Sequence, residues 1–280
     1  MSVAIVTDSA AALPPELAER YGISIVPMWL TVKGVPEPEG RRPLQELVVE
    51  DEVSTSAPTP GEFEHVIKDA SRTNDGVLVL TIAASMSATY QSALVASRAV
   101  GGPVRVVDTA TAGGAEALVV LAAAQAARAG ASLDDVEARA RAVLERVRLV
   151  ATLSSLDHLV RSGRVPGIAG WAGRRLGINP LFEFRGGSVR RLRPALSRDA
   201  ALDRIVQLVR RDAPADGRGR LHVAALHALA LDVAEVLLAS VTEPGDDATA
   251  FIGEFGPVMV VHTGPGLAGL AWWWEDAAER

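Results

Sequence analysis

The chain has 280 residues, 49% of them hydrophobic and 22% charged, with a formal net charge of −6 at pH 7 and no cysteine. This length allows one large or two ordinary domains with a buried core, and the composition is that of a globular protein. The absence of cysteine excludes disulfides, iron–sulfur clusters, zinc–thiolate sites and thiol catalysis. The acidic balance argues against nucleic acid as a partner.

The N-terminal residues predict a strand that begins at once rather than a targeting segment. Residues 1–8 contain no basic region, no long apolar run and no cleavage site. The apolar stretch 115–127 is too short to span a bilayer and is closed by Arg128 and Gly130. We therefore expect a cytoplasmic protein.

The first half of the chain alternates apolar runs typical of buried strands with segments typical of helices. At this spacing, the alternation predicts a parallel sheet with crossover helices, forming a three-layer α/β/α domain over residues 1–149. We expect strands at 3–7, 23–32, 76–82 and 104–107, helices at 15–20, 62–70, 88–100, 115–130 and 133–147, and a polar loop at 34–42.

The pattern changes after about residue 149, where hairpin signals mix with helical segments. Gly186-Gly187 between two short apolar runs predicts a β-hairpin. The mixture indicates a two-layer α+β domain over residues 150–280. We expect strands at 148–153, 180–184, 188–192, 220–227, 249–254 and 256–262, and helices at 155–162, 200–211 and 231–241.

Hydroxyl side chains crowd two segments where a strand is expected to pass into a loop or a helix, and an imidazole ends the last predicted strand. Hydroxyls and one imidazole brought together form a receptor for an oxyanion, whereas the clustered carboxylates and thiolates that metals prefer are missing. We therefore predict neither a metal nor a cofactor. The three segments are Thr55-Ser56-Ala57-Pro58, Ser85-Met86-Ser87-Ala88-Thr89-Tyr90-Gln91-Ser92 and His262-Thr263-Gly264-Pro265-Gly266.

These segments, with three others in the same order, resemble the DegV family, whose fatty-acid-binding members of the FakB type are subunits of fatty acid kinase. The resemblance spans nearly the whole chain. Each match is weak by itself, and their order makes the set specific. The other three segments are Ile5-Val6-Thr7-Asp8-Ser9, Ser162-Gly163-Arg164 and Gly177-Ile178-Asn179-Pro180-Leu181.

The resemblance implies a DegV-like two-domain fold and a carrier that is not itself an enzyme. Such a carrier binds one long-chain fatty acid in an apolar tunnel between its domains and presents the carboxylate to a separate kinase. The implied carboxylate ligands are Thr55, Ser87 and His262. The same resemblance implies supporting loop positions at Ser56, Thr89, Gly264 and Gly266, and partner or acyl-phosphate contacts at Arg164 and Arg198.

Four positions depart from the family pattern. Ala12, Ala88 and Asn179 stand where the family carries an acidic residue, a glycine and a lysine. Leu196 stands where an arginine tied to the kinase partner is expected, and Arg193 and Arg198 are its nearest replacements. Acyl binding is therefore better supported than coupling to a kinase.

Each candidate residue also has a purely structural interpretation. Thr55 could cap a helix or form a turn before Pro58, and Ser87 could cap the helix that follows it. An imidazole at a strand end is often structural, as we expect for the remaining histidines. Those histidines are His65, His158, His222 and His227.

A hydrolase is the alternative to a carrier, with Ser87 or Ser85 as nucleophile and His262 as base. The chain has neither a Gly-x-Ser-x-Gly elbow nor an identifiable orienting carboxylate. It also lacks a P-loop, so we expect no ATP binding. The run Trp272-Trp273-Trp274 predicts a core-and-interface cap, with transient contact with a lipid surface as the alternative.

Overall fold

The computed structural model describes residues 2–47, 52–164, 179–243 and 249–276, so Gly177 and Ile178 of one matching segment lie outside it. The strands are β1 Val3–Asp8, β2 Ser24–Val26, β3 Trp29–Val32, β4 Val35–Pro38, β5 Val53–Ser56, β6 Gly76–Thr81, β7 Val104–Asp108, β8 Arg148–Thr152, β9 Leu181–Arg185, β10 Ser188–Arg191, β11 Arg220–His227, β12 Ala250–Glu254 and β13 Ala268–Glu275. The helices are α1 Pro15–Tyr21, α2 Leu44–Leu47, α3 Pro60–Ser71, α4 Thr89–Val100, α5 Gly114–Arg128, α6 Leu133–Arg146, α7 Asp157–Ser162, α8 Arg198–Arg211, α9 Leu231–Ala239 and α10 Pro257–Thr263.

A four-stranded parallel sheet in the order β2-β1-β6-β7 forms the first half, as the alternating pattern predicts. Its central strands β1 and β6 are buried on both faces, as parallel strands usually are, whereas the edge strands β2 and β7 are partly exposed. Helices α3 and α4 cover one face through Phe63, Ile67 and Ala93, while α5 and α6 pack on the other.

The segment 23–32 is two strands and not the single strand that we predicted. Strand β2 ends at Val26 in the parallel sheet, whereas β3 begins at Trp29 in a separate antiparallel sheet of order β4-β3-β5. Pro27 lies between them and has no backbone N–H to continue a ladder. The predicted polar loop 34–42 contains β4, whose prolines are tolerated because it is an edge strand.

A six-stranded mixed sheet in the order β10-β9-β8-β13-β11-β12 forms the second half. Gly186-Gly187 connects β9 to β10, so the predicted hairpin is confirmed. Strand β13 lies near the centre of this sheet, between β8 and β11, and was missed from sequence. Trp272 and Trp273 within it are only 1% and 2% exposed, so they belong to the core and are not a lipid-facing surface.

Helix α5 lies between the two large sheets and contacts strands of both. Its residues from Gly114 to Ala124 are buried on every side, and its many alanines allow close approach of the strands. Within the described residues, no helix combines the length and apolarity needed to cross a membrane.

Residues 256–262 are helix α10 for most of their length and not the strand that we predicted. A short apolar run fits a buried helix as well as a strand, and its composition does not separate the two. Pro257 at the first helical position favours the helix, because its fixed φ is suitable there and its missing N–H costs nothing. His262 therefore lies in the last turn of a helix and not at the end of a strand.

Candidate functional site

Two cavities meet beside the three-stranded sheet. The wide cavity encloses about 510 Å³, within the usual range of about 300–1,000 Å³ for ligand pockets, and is lined equally by polar and apolar groups. The narrow cavity encloses about 70 Å³ and its wall is mostly apolar. Thr55, Arg164 and His262 line both, so the polar groups lie at the junction.

The junction is built around a direct hydrogen bond between Thr55 and His262. Thr55 Oγ1 lies 2.8 Å from His262 Nε2, although the two residues are 207 positions apart. Thr55 belongs to β5 and is no helix cap, because Thr59 caps α3 through a reciprocal bond with Glu62. The structure therefore brings together two of the three predicted carboxylate ligands.

The His262 imidazole is neutral at physiological pH. Burial is the larger cause and the positive charge of Arg164 the smaller, and together they lower its pKa to about 4. A neutral ring carries one N–H donor, and which nitrogen bears the proton decides whether Thr55 donates or accepts.

Ser87 reaches the narrow cavity from the loop before α4. Its Oγ lies 2.8 Å from Thr89 Oγ1 and accepts a long 3.4 Å bond from the Thr89 N–H. Ser87 thus contacts the first turn of the helix, where backbone N–H groups favour an anion. Thr89 is fully buried behind it, and Ser56, on the adjoining β5, also lines the narrow cavity.

Arg164 contributes a cation at the junction. Its Nη1 donates to the carbonyl of Met86 at 2.7 Å, which ties the segment after α7 to the loop before α4. The side chain is largely exposed and lines both cavities. Arg198, the other predicted cation, begins helix α8 and, within the described part of the chain, lines neither cavity.

The two predicted glycines shape the turn after α10 rather than the cavity wall. Gly264 has a φ of 76° and a Cβ there would lie 2.6 Å from His158 Cδ2. Gly266 has a φ of 83° and a Cβ there would collide with Ser154 Oγ. His158, to which the sequence assigned only a structural role, lines the wide cavity together with Arg161.

Three side chains hold the walls of the narrow cavity from behind. Asp8 Oδ2 accepts the N–H of Ile82 at 2.9 Å, and Ser9 Oγ accepts the N–H of Met28 at 2.9 Å. Both Ile82 and Met28 line the cavity. The Asp-Ser pair after β1 therefore fixes two wall segments, a role that the sequence pattern did not specify.

Glu39 is the third of these supports, and sequence analysis did not identify it. Its Oε1 accepts the N–H of Val258 at 2.8 Å, and its Oε2 accepts a short bond from the Ser9 hydroxyl. Burial raises the pKa of Glu39, and these two bonds partly oppose that rise. Helix α10 is thus held at its start by Glu39 and in its last turn by Thr55.

The hydrogen bonds do not form the Ser–His pair that a hydrolase would need. His262 bonds to Thr55, Ser87 bonds to Thr89, and Ser85 Oγ donates to the carbonyl of Gly187 at 3.2 Å. Among the described residues, no carboxylate forms a hydrogen bond or ion pair with His262, and no cluster of three or more potential metal ligands occurs.

Comparison with known proteins identifies the family. A family model described as uncharacterised proteins of the DegV family matches residues 2–275. A DegV domain-containing protein of Streptomyces coelicolor is 33% identical over 276 residues, which cover 96% of this chain and 97% of that protein. A Thermotoga maritima protein named as a fatty acid-binding protein is 29% identical over 281 residues, covering 96% of this chain and 97% of that protein.

The fold agrees with solved structures of the same family. A structure named for the fatty acid binding of a DegV family protein from Thermus thermophilus superposes with a TM-score of 0.89 and 29% identity, covering 98% of this chain and 99% of that chain. This match confirms the predicted DegV-like α/β fold. With a family model that matches nearly the whole chain, this protein belongs to the DegV family.

Proposed function

We propose that this protein binds one long-chain fatty acid, with the acyl chain in the narrow cavity and the carboxylate at the junction. Relatives named as fatty acid-binding proteins support this proposal. The head-group ligands would be Thr55, Ser87 and His262, with Ser56 and Thr89 supporting them.

Burial of the acyl chain would provide most of the affinity. Each buried methylene contributes roughly 0.8 kcal/mol, so a dozen could give on the order of 10 kcal/mol before the losses of association. The apolar wall residues suited to this role include Ile82, Leu159 and Val258.

The carboxylate needs hydrogen-bond donors, because a buried anion without partners costs several kcal/mol. The observation that carries the proposal is the bond between Thr55 and His262 at the inner end of the wide cavity. This bond uses one of the two hydrogens of the pair, so the pair keeps one donor for the carboxylate, and Ser87 adds a hydroxyl at a helix N-terminus beside the apolar cavity. Arg164 adds positive potential from the solvent side without being buried.

The test is extraction of the purified protein followed by mass spectrometry. We expect one fatty acid per chain, and added palmitate or oleate should stabilise the delipidated protein. A ligand at a hundredfold excess over its dissociation constant adds about 2.7 kcal/mol to the free energy of unfolding. Repeated absence of an acyl ligand, together with no stabilisation, would contradict fatty acid binding.

We further propose that the protein presents the carboxylate to a fatty acid kinase and is not itself an enzyme. Arg164 at the junction of the two cavities is suited to stabilise an acyl phosphate, while Leu196 is 88% exposed where an arginine is expected. ATP-dependent acyl-phosphate formation with the cognate kinase should be lost in Arg164→Ala and increased in Leu196→Arg. Full wild-type activity with no gain in Leu196→Arg would show that this role of residue 196 is wrong.

A hydrolase would give a different result. Turnover of a chromogenic acyl ester that is lost in Ser87→Ala would favour the serine-dependent alternative over the carrier.

The carrier proposal also includes a division into two domains at residue 149, with the acyl chain bound between them.

A further inference from the structure

All methionines within the described residues line one cavity. The chain has four methionines, and the three that fall in the described ranges are Met28, Met86 and Met259. Each of them lines the narrow cavity. They come from three separate parts of the chain: the connection between β2 and β3, the loop before α4, and helix α10. Such a concentration of one rare residue type at one cavity requires an explanation from its chemistry.

The narrow cavity is too small for a long acyl chain as it stands. It encloses about 70 Å³, whereas ligand pockets usually enclose about 300–1,000 Å³. Binding therefore requires atoms of the wall to move. The wide cavity already has sufficient volume, but half of its lining is polar, so the mostly apolar narrow cavity suits a hydrocarbon chain better.

The backbone at each methionine is held by hydrogen bonds or by a helix, which favours movement of the side chains. The Met28 N–H donates to Ser9 Oγ at 2.9 Å, and the Met86 carbonyl accepts from Arg164 Nη1 at 2.7 Å. Met259 lies within helix α10. Three fixed backbone segments thus direct three flexible side chains toward the same space.

Methionine is the apolar side chain best suited to change shape. It is unbranched, has three rotatable bonds and carries a polarisable thioether, so it fills irregular spaces at low cost. Ile82 and Val258, which line the same cavity, are branched at Cβ and restricted in χ1. The wall therefore combines a rigid part with an adaptable part.

We propose that the three methionines make the acyl site adaptable, so that this protein binds straight, cis-unsaturated and methyl-branched fatty acids with similar affinity. This inference rests on the fatty acid binding proposed above and adds the class of acyl chain accepted. The rearrangement of Met28, Met86 and Met259 would match the cavity to each chain shape.

The test compares palmitate, oleate and a methyl-branched acid of similar length by calorimetry with delipidated protein. We expect wild-type dissociation constants within about threefold of one another, a difference below about 1 kcal/mol. The variant Met28→Leu/Met86→Leu/Met259→Leu keeps apolar character and nearly the same volume, so its fold should be retained. It should bind the best-fitting acid normally and discriminate against the worst by about tenfold or more.

Ile205→Leu is the control, because it makes a volume-conserving change at a fully buried residue that lines neither cavity. It should keep the narrow range of affinities. A wild type that prefers one acid by more than about tenfold, or a triple variant with unchanged selectivity, would overturn the proposal. If none of the acids binds to wild type, the fatty acid function itself fails, which is a distinguishable result.

Methyl NMR of the wild-type protein provides a second measurement that does not depend on whether the triple variant folds. Only four methionine methyl signals are expected, and single Leu substitutions assign those of Met28, Met86 and Met259. Straight and bent acids should shift these three signals by different amounts. Identical spectra in all three complexes would contradict rearrangement of the methionines.

Discussion

The two cavities that meet at His262 differ in size, polarity and the way their walls are held. The wide cavity is open, half polar and bordered by Arg161 and Arg164, so it can accept a charged group without rearrangement. The narrow cavity is small and mostly apolar, and its walls are tied from behind by Asp8, Ser9 and Glu39. Under the proposed function this contrast would separate affinity from presentation, because the acyl chain would bind on the narrow side and the head group would face the wide side.

The largest expected effect is from a bulky residue in the narrow cavity. Ala57→Trp should fill that space and weaken fatty acid binding by more than about a hundredfold, because overpacking leaves no room for the chain. Val261→Trp places the same side chain in the wide cavity and should weaken binding by less than about fivefold. Equal losses in calorimetry would contradict the assignment of the acyl chain to the narrow side.

The second prediction concerns Asp8, which holds the Ile82 wall. Burial raises the pKa of Asp8 to about 7 from an ordinary value of 3.8. Between about pH 4 and pH 7 the carboxyl is protonated in the native state and ionised in the unfolded chain. Its contribution to the free energy of unfolding therefore falls as the pH rises through this range.

Asp8→Asn removes this dependence and also loses one bond, because an amide nitrogen cannot accept from Ile82 or Ala10. We expect a loss of roughly 1–3 kcal/mol in the free energy of unfolding at acidic pH. The difference in free energy of unfolding between wild type and variant should become smaller by pH 8. Denaturant unfolding across the pH range measures this difference, and a difference that increases with pH would contradict the raised pKa of Asp8.

A smaller effect is expected at Glu39, which supports both the narrow cavity and the helix carrying His262. Glu39→Gln keeps the volume but can accept from only one of Ser9 and Val258. Binding of a fatty acid and of the matching fatty alcohol should each weaken by about tenfold, because the change acts on the wall and not on the head group. Glu64→Gln, at a partly exposed residue that lines neither cavity, is the control and should leave both affinities unchanged.

The smallest effect on affinity is expected at Arg164, on the wide side. Arg164→Ala should change fatty acid binding by less than about threefold. It should raise the pKa of His262 above about 4, because the guanidinium charge lowers it, while burial keeps it below 6.5. An NMR titration of the five histidines tests this, with Arg161→Ala as control. An unchanged His262 pKa would place Arg164 too far away to act on the junction.

The sequence predicted those parts of the molecule whose signals are local. The alternation of strands and helices up to β7 and the Gly186-Gly187 hairpin follow from periodicity and turn residues. The hydroxyl segments and His262 were identified by their resemblance to a family, and the structure brings Thr55 and His262 into contact. Their role as ligands stays a prediction.

The features that were missed depend on contacts distant in sequence. Glu39 reaches Val258 across 219 positions, and no pattern near Glu39 indicates this bond. Helix α10 was interpreted as a strand because a seven-residue apolar run suits either. Strand β13 was missed because three consecutive tryptophans show no alternation, although Trp272 and Trp273 pack on opposite faces of the sheet.

The most direct test of the account measures head-group recognition at Ser87. Ser87→Ala removes one charge-assisted hydrogen bond, worth roughly 1.5–3 kcal/mol, if the carboxylate binds at the junction. The dissociation constants of palmitate and hexadecanol should be measured by calorimetry for wild type and variant. We predict that the variant binds the acid about ten- to a hundredfold more weakly and the alcohol nearly as well as wild type does. Equal losses for both ligands would show that Ser87 only supports helix α4 and that the carboxylate does not bind there.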